Sequence, residues 1–188
     1  MATSTHRSLS TCAAAAAATT LQAALNLALL GVAAFGLGVA GLAARSFPVP
    51  WSGFAVPAVF VVLAVIAATP WFDPPPGRWR TGYTAVAAIC VVATPWMPAA
   101  VQVAGALTVL GVGFAIIGLS EHLPAVRNAG LSAIVIGALS SSDLGRGWLP
   151  LAETGTYHLV PALVTALVGV CAAAVGVGLL LRRRGGFL

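Results

Sequence analysis

The side chains able to do chemistry fall into two groups. Asp143, Arg146, Glu153 and His158 follow one another in the last third of the chain. Two carboxylates and an imidazole could hold a divalent cation, and a guanidinium could clamp a phosphate or carboxylate through paired N–H bonds. Their spacing matches no ligand motif, so no metal site is expected, and a solvated loop edged by one histidine is the simpler reading. The second group is Glu121, His122 and Arg127, with Asn128 beside it. It could meet a lipid headgroup or an anionic partner, although capping and topology would also place such residues there. His122 and His158 could each offer one axial imidazole to haem or a chlorophyll-type pigment, but the sequence requires no cofactor. Cys12, Cys90 and Cys171 form no CxxC pair, which argues against a zinc or dithiol site. Cys90 and Cys171 lie in apolar runs, where a thiol behaves as a small hydrophobe.

These groups sit on a chain made for lipid. Of its 188 residues 60% are hydrophobic and 7% charged, and lysine is absent. A soluble domain carries about 25% charged residues. The net charge of +5 comes from nine arginines against four acids. They are scattered or sit at the ends of apolar runs, with no basic stripe interleaved with aromatics, so nucleic acid is not an expected partner. No stretch is long enough for a separate soluble domain. The apolar run after Arg7 ends near Ala44. It is about twice the 7–15-residue core of a signal peptide, which predicts a retained span.

Six apolar segments can be marked, near Leu21–Ala44, Gly53–Ala68, Thr81–Met97, Ala99–Leu119, Ala125–Ser140 and Tyr157–Leu181. Crossing the hydrocarbon takes about 20 helical residues, so the third and fifth are marginal. Six spans with both termini cytoplasmic put Arg7, Arg78, Arg80, Arg127 and Arg182 to Arg184 inside, and only Arg45 and Arg146 outside. That is the bias of the positive-inside rule. The expected fold is an all-α, polytopic membrane protein, a compact bundle of six transmembrane helices. Residues 1–20 form a cytoplasmic segment, 21–181 the membrane domain and 182–188 a cytoplasmic basic tail. The alanine run Ala13–Ala18 is expected to extend the first helix inward, and Thr94-Pro95-Trp96-Met97-Pro98 to form an outer hairpin. Trp51, Trp71, Trp96, Trp148 and Tyr157 all fall at span ends, where amphipathic rings favour the headgroup zone.

Lipid gives helices no hydrophobic reason to associate, so close approach of small residues must hold them. Ala34/Gly38/Gly41, Gly111/Ala115/Gly118 and Gly169/Ala173/Gly176 each repeat at i, i+4, i+7 and share one helical face, so all nine are expected at helix–helix contacts. No Asp, Glu, Lys, Arg or His falls near the expected midplane, which weakens an ion-coupled transport reading. Asn26, Gln102, Thr108 and Thr165 are the main polar side chains within the spans, expected as interhelical hydrogen bonders.

Ala68-Thr69-Pro70-Trp71 and Ala93-Thr94-Pro95-Trp96 resemble the motif of SPW-repeat membrane proteins, with threonine in place of serine. Trp96-Met97-Pro98 recurs as Trp148-Leu149-Pro150. The stretch from Arg127-Asn128-Ala129-Gly130 through Asp143 to Thr156-Tyr157-His158 resembles uncharacterised six-span bacterial families. Both likenesses imply architecture and lend no activity. The order Cys90, Arg127, His158 resembles the exosortase/archaeosortase transpeptidases, but Val91 stands where that family has a small hydroxyl residue. In the six-span topology Arg127 and His158 also face opposite sides.

The leading functional expectation is a non-enzymatic accessory or structural subunit. It would sit in the lipid bilayer beside other integral membrane subunits, in a bacterial cytoplasmic membrane. The alternatives are a small-solute or lipid carrier with a polar cavity at Asn26 or Gln102, and a metal- or pigment-binding protein or enzyme using Asp143, Glu153 and His158. The topology is checked by cysteines placed at Ser141 and Gly185 in a background without the native thiols. A membrane-impermeant maleimide should label only the first from outside, and labelling of both breaks the six-span scheme.

Overall fold

A backbone in lipid has no water to satisfy its N–H and C=O groups, and a helix satisfies them within itself. The chain follows that constraint. The computed structural model describes residues 3–43, 51–68, 81–141 and 160–185, with side chains described over 19–43, 53–68, 81–141 and 160–182. Among these residues there are helices and no strands. They are α1 (Thr3–Ala43), α2 (Trp51–Ala68), α3 (Thr81–Ala93), α4 (Met97–Ala104), α5 (Ala106–Ser120), α6 (Pro124–Ser141) and α7 (Val160–Gly185). A 3₁₀ turn, Thr94–Trp96, joins α3 to α4. The alanine run lies inside α1, which continues unbroken past residue 20.

Among the described residues three helical stretches are long and apolar enough to cross a membrane: Thr19–Ala43, Thr81–Ala104 and Val160–Arg182. They mark an all-helical membrane protein. Gly53–Ala68 and Ala106–Ser120 are shorter apolar helices.

The expected hairpin at Thr94–Pro98 is corrected by the structure. Ala93, Trp96 and Met97 all keep right-handed helical backbone. Pro95 and Pro98 occupy the second positions of new helical turns, where a missing N–H is still harmless. The chain reverses instead at Gly105, whose φ of 83° and ψ of 147° suit glycine almost alone. The expected span Ala99–Leu119 is therefore broken, and its second part is the 15-residue α5. A straight rise over the 24 residues of Thr81–Ala104 would be about 36 Å, against about 22 Å of descent along α5. Yet Gly82 lies against Ser120 and Glu121. The path must bend at the 3₁₀ turn, so that α4 runs from Pro98, which abuts Gly53 of α2, to Ala104, whose carbonyl accepts from Ser141 Oγ at 3.0 Å.

Two antiparallel pairs make the frame. On α1, Ala24, Ala28, Gly31, Phe35 and Gly38 form a seam against Ala162, Ala166, Gly169, Ala173 and Gly176 of α7. The order runs oppositely on the two helices, so the start of α1 and the end of α7 lie at one end of the bundle. On α5, Thr108, Gly111, Ala115 and Gly118 meet Arg127, Gly130, Ile134 and Gly137 of α6. Between the pairs, Phe60 of α2 fills the space above Gly113, its ring centroid 5.6 Å from that of Phe114. Leu30, Val56, Leu107, Leu110, Ile117 and Val126 complete the buried core.

Gly41 is the least enclosed member of its triplet. Gly41 is exposed, whereas Ala34 and Gly38 of the same triplet are buried. Among the described residues, a Cβ at Gly41 would approach Ala162 Cβ at 3.2 Å. Gly38 and Gly41 thus both face Ala162, the third described residue of α7, with Gly38 the deeper of the two.

Glycines inside and outside the seams should respond in opposite directions. A Cβ at Gly38 would lie 2.7 Å from Ala162 O, whereas Gly36 has nothing within 4 Å. Gly38→Ala should lower stability by about 1–3 kcal/mol through overpacking. Gly36→Ala should be neutral or stabilising by up to about 1 kcal/mol from helix propensity. Thermal melting of both variants in detergent checks the contrast.

Candidate functional site

Asp143, Arg146, Glu153 and His158 lie outside the described residues, as do Arg45, Trp71, Trp148 and Tyr157. Among the described residues no cluster of three or more His, Cys, Asp or Glu side chains could hold a metal. One set of the described polar groups gathers at the end of the bundle where α1 enters its apolar stretch and α5 turns into α6.

That turn is only Glu121-His122-Leu123. His122 takes a left-handed φ of 55°. Leu123 N donates to Gly118 O at 2.8 Å and His122 N to Leu119 O at 3.4 Å, which closes α5 with a Schellman arrangement. Leu123 is buried in the same core as Ile117, and Pro124 starts α6 at the position proline favours. The His122 side chain is left exposed, at a position where glycine is the usual occupant.

Glu121 faces inward. Its Oε1 accepts from Gly82 N at 3.2 Å. The first turn of α3 has no acid of its own, so the α5–α6 hairpin supplies a carboxylate to the positive end of that helix. Gly82 is the residue that admits it, since a Cβ there would meet Ser120 and Glu121. Arg127 turns along its own helix, its Nε donating to Asn128 Oδ1 at 3.2 Å.

The next residue of α3, Tyr83, ties the same end to α1. Its Oη accepts from Asn26 Nδ2 at 2.6 Å and from Gln22 Nε2 at 3.2 Å. Asn26 Nδ2 also donates to Gln22 O at 2.8 Å. Asn26 is 3% exposed, and its Oδ1 has no hydrogen-bonding partner among the described residues. Beside it is a cavity of about 10 Å³, lined by Gln22, Asn26, Tyr83 and aliphatic side chains of α1 and α2. Tyr83 and Gln22 escaped the sequence reading. The signal available was Gln22 and Asn26 one turn apart on the same face of an otherwise apolar helix.

The other polar residues of the spans do not join this group. Thr165 Oγ1 bonds to Pro161 O of its own helix at 2.6 Å. Thr108 Oγ1 is buried in the α5–α6 seam without a partner among the described residues, and Gln102 is exposed on α4. Cys90 is packed in the core eight residues along α3 from Gly82, about 12 Å by helical rise, and so stands away from Arg127.

No family model, curated protein or solved structure matches the chain. The repeated Thr-Pro-Trp motif therefore carries no family assignment. Its second copy forms the 3₁₀ turn, and its first lies outside the described residues.

Two neighbouring substitutions should move stability oppositely. Glu121→Ala removes the acceptor for Gly82 N and should cost about 0.5–2 kcal/mol, the range for losing a helix cap. His122→Gly relieves the left-handed backbone and should stabilise by up to about 1 kcal/mol. Chemical or thermal unfolding in one detergent, read by circular dichroism, compares them.

Proposed function

We propose that this chain is a six-span bundle with both termini in the cytoplasm, acting as a non-enzymatic accessory subunit of a larger membrane complex. The observation that carries this reading is how the interior is used. Along the described helices it is filled by aliphatic and aromatic side chains and by two seams of backbone contact. The cavity at Asn26, where a carrier would place its polar site, has room for about one water molecule. An interior packed in this way along the described helices favours an effect exerted through the outside. The topology is supported by the antiparallel α1–α7 seam, in which the start of α1 and the end of α7 lie at the same end of the bundle. The arginine distribution then makes that side cytoplasmic, and α2, α5 and α6 pack between the longer stretches as shorter spans.

The tagged chain, extracted from its native membrane in gentle detergent, should co-purify with a larger integral membrane protein in fixed stoichiometry. Mass spectrometry identifies that partner, and an absorption spectrum detects any pigment. Recovery of a colourless chain alone overturns the accessory reading and returns weight to a carrier or to an enzyme using the Asp143–His158 loop.

A further inference from the structure

The bonding around Asn26 defines what should fill the notch beside it. The Nδ2 group uses one hydrogen on Gln22 O and the other on Tyr83 Oη. Because a backbone carbonyl can only accept, the amide cannot be turned over, and its Oδ1 is fixed as an acceptor. That oxygen is buried without a partner among the described residues. A buried carbonyl oxygen away from water is unfavourable unless something donates to it. The adjoining cavity of about 10 Å³ is the size of one water molecule or one hydroxyl. Its remaining walls, including Leu25, Leu29, Leu63 and Ala67, would leave an ammonium ion unsolvated, so the donor must be neutral.

The depth of the notch is compatible with two sources of that donor. Gln22 and Asn26 stand one and five residues into the apolar segment that opens at Leu21, about 2 and 8 Å along the helix. That is close to the level where headgroups give way to acyl chains, within reach of water and of lipid hydroxyls alike.

We propose that Gln22, Asn26 and Tyr83 form a binding notch between α1, α2 and α3 for one hydroxyl group, which donates its proton to Asn26 Oδ1. The bound O–H completes a polar network that otherwise ends in an unpaired acceptor. This holds whether or not the chain has a protein partner.

The test exploits the fact that asparagine occurs only at positions 26 and 128. The full chain carrying Asn128→Gln and ¹³C-labelled asparagine has a single labelled amide. It is reconstituted in phosphatidylcholine, which has no headgroup hydroxyl, and separately in phosphatidylglycerol, which has two. Solid-state NMR then measures proton polarisation transfer to the Asn26 side-chain carbonyl, with an unchanged melting temperature certifying the fold. Transfer from water in both membranes supports the notch and makes water its occupant. Transfer from headgroup protons in phosphatidylglycerol alone supports it with a lipid hydroxyl as occupant. Loss of transfer from both sources in both membranes overturns the proposal.

Discussion

The structure depends on how closely two helix backbones can approach in a solvent as apolar as their own side chains. Lipid gives leucine no incentive to leave it, so adhesion comes from contacts that lipid cannot imitate. Backbone against backbone is such a contact. The α1–α7 and α5–α6 seams consist of places where a single methyl group would collide with the facing main chain. The large side chains fill what those seams leave. Phe60, for instance, lies over Gly113 because α5 presents no side chain there.

The polar groups complement this frame where the seams do not reach. The α3 helix has no glycine seam with a neighbour. It is anchored at its first turn, where Gly82 N–H meets Glu121 from the α5–α6 hairpin and Tyr83 Oη meets Gln22 and Asn26 from α1. One short segment thereby links the first helix to the central hairpin. Asn26 and Tyr83, at the centre of this network, are buried. An interhelical hydrogen bond in a membrane nonetheless averages only about 0.6 kcal/mol, so the network orients α3 more than it holds the bundle together.

Much of this was legible in the residues. Low charge and apolar runs specify membrane helices, and small residues spaced by four and three place a seam on a helical face. Gly111, Ala115 and Gly118 lie on the α5 face that meets α6, and Gly169, Ala173 and Gly176 on the α7 face that meets α1. Partner positions were harder to see. Gly31, Gly130 and Gly137 complete the seams, yet glycine is too frequent in this chain for any one to stand out. The α1 triplet shows the limit from the other side. Gly38 lies deepest in the seam, Ala34 is fully buried in the core, and Gly41 is exposed although it still faces Ala162. Spacing along one helix fixes a face, but how deeply each member is buried depends on the partner helix. Prolines misled for a physical reason. Pro95 and Pro98 suggest a turn, but proline starts a helical turn as readily as it ends one. The positive φ of Gly105 turns the chain from α4 into α5. The Asn26–Tyr83 bond joins residues 57 apart in sequence, and no local pattern reports such a distance.

The division between seam and surface also constrains where a partner could be recognised. The outward residues of α7 include Leu163, Leu167, Val170, Val175 and Leu181, and those of α3 include Ile89, Val91 and Val92. Aliphatic surfaces of this kind gain little by exchanging lipid for another protein. Discrimination between partners needs groups that lipid chains do not match, which means donors, acceptors, charge or tight shape. Within the described residues such groups are concentrated at the end carrying the α5–α6 hairpin, where His122 is exposed and Glu121 and Arg127 are half-buried. The remaining charges of the chain fall in the segments between helices and at the two ends of the chain. A complex built on this chain would therefore use the helix flanks for area and the bundle ends for choice.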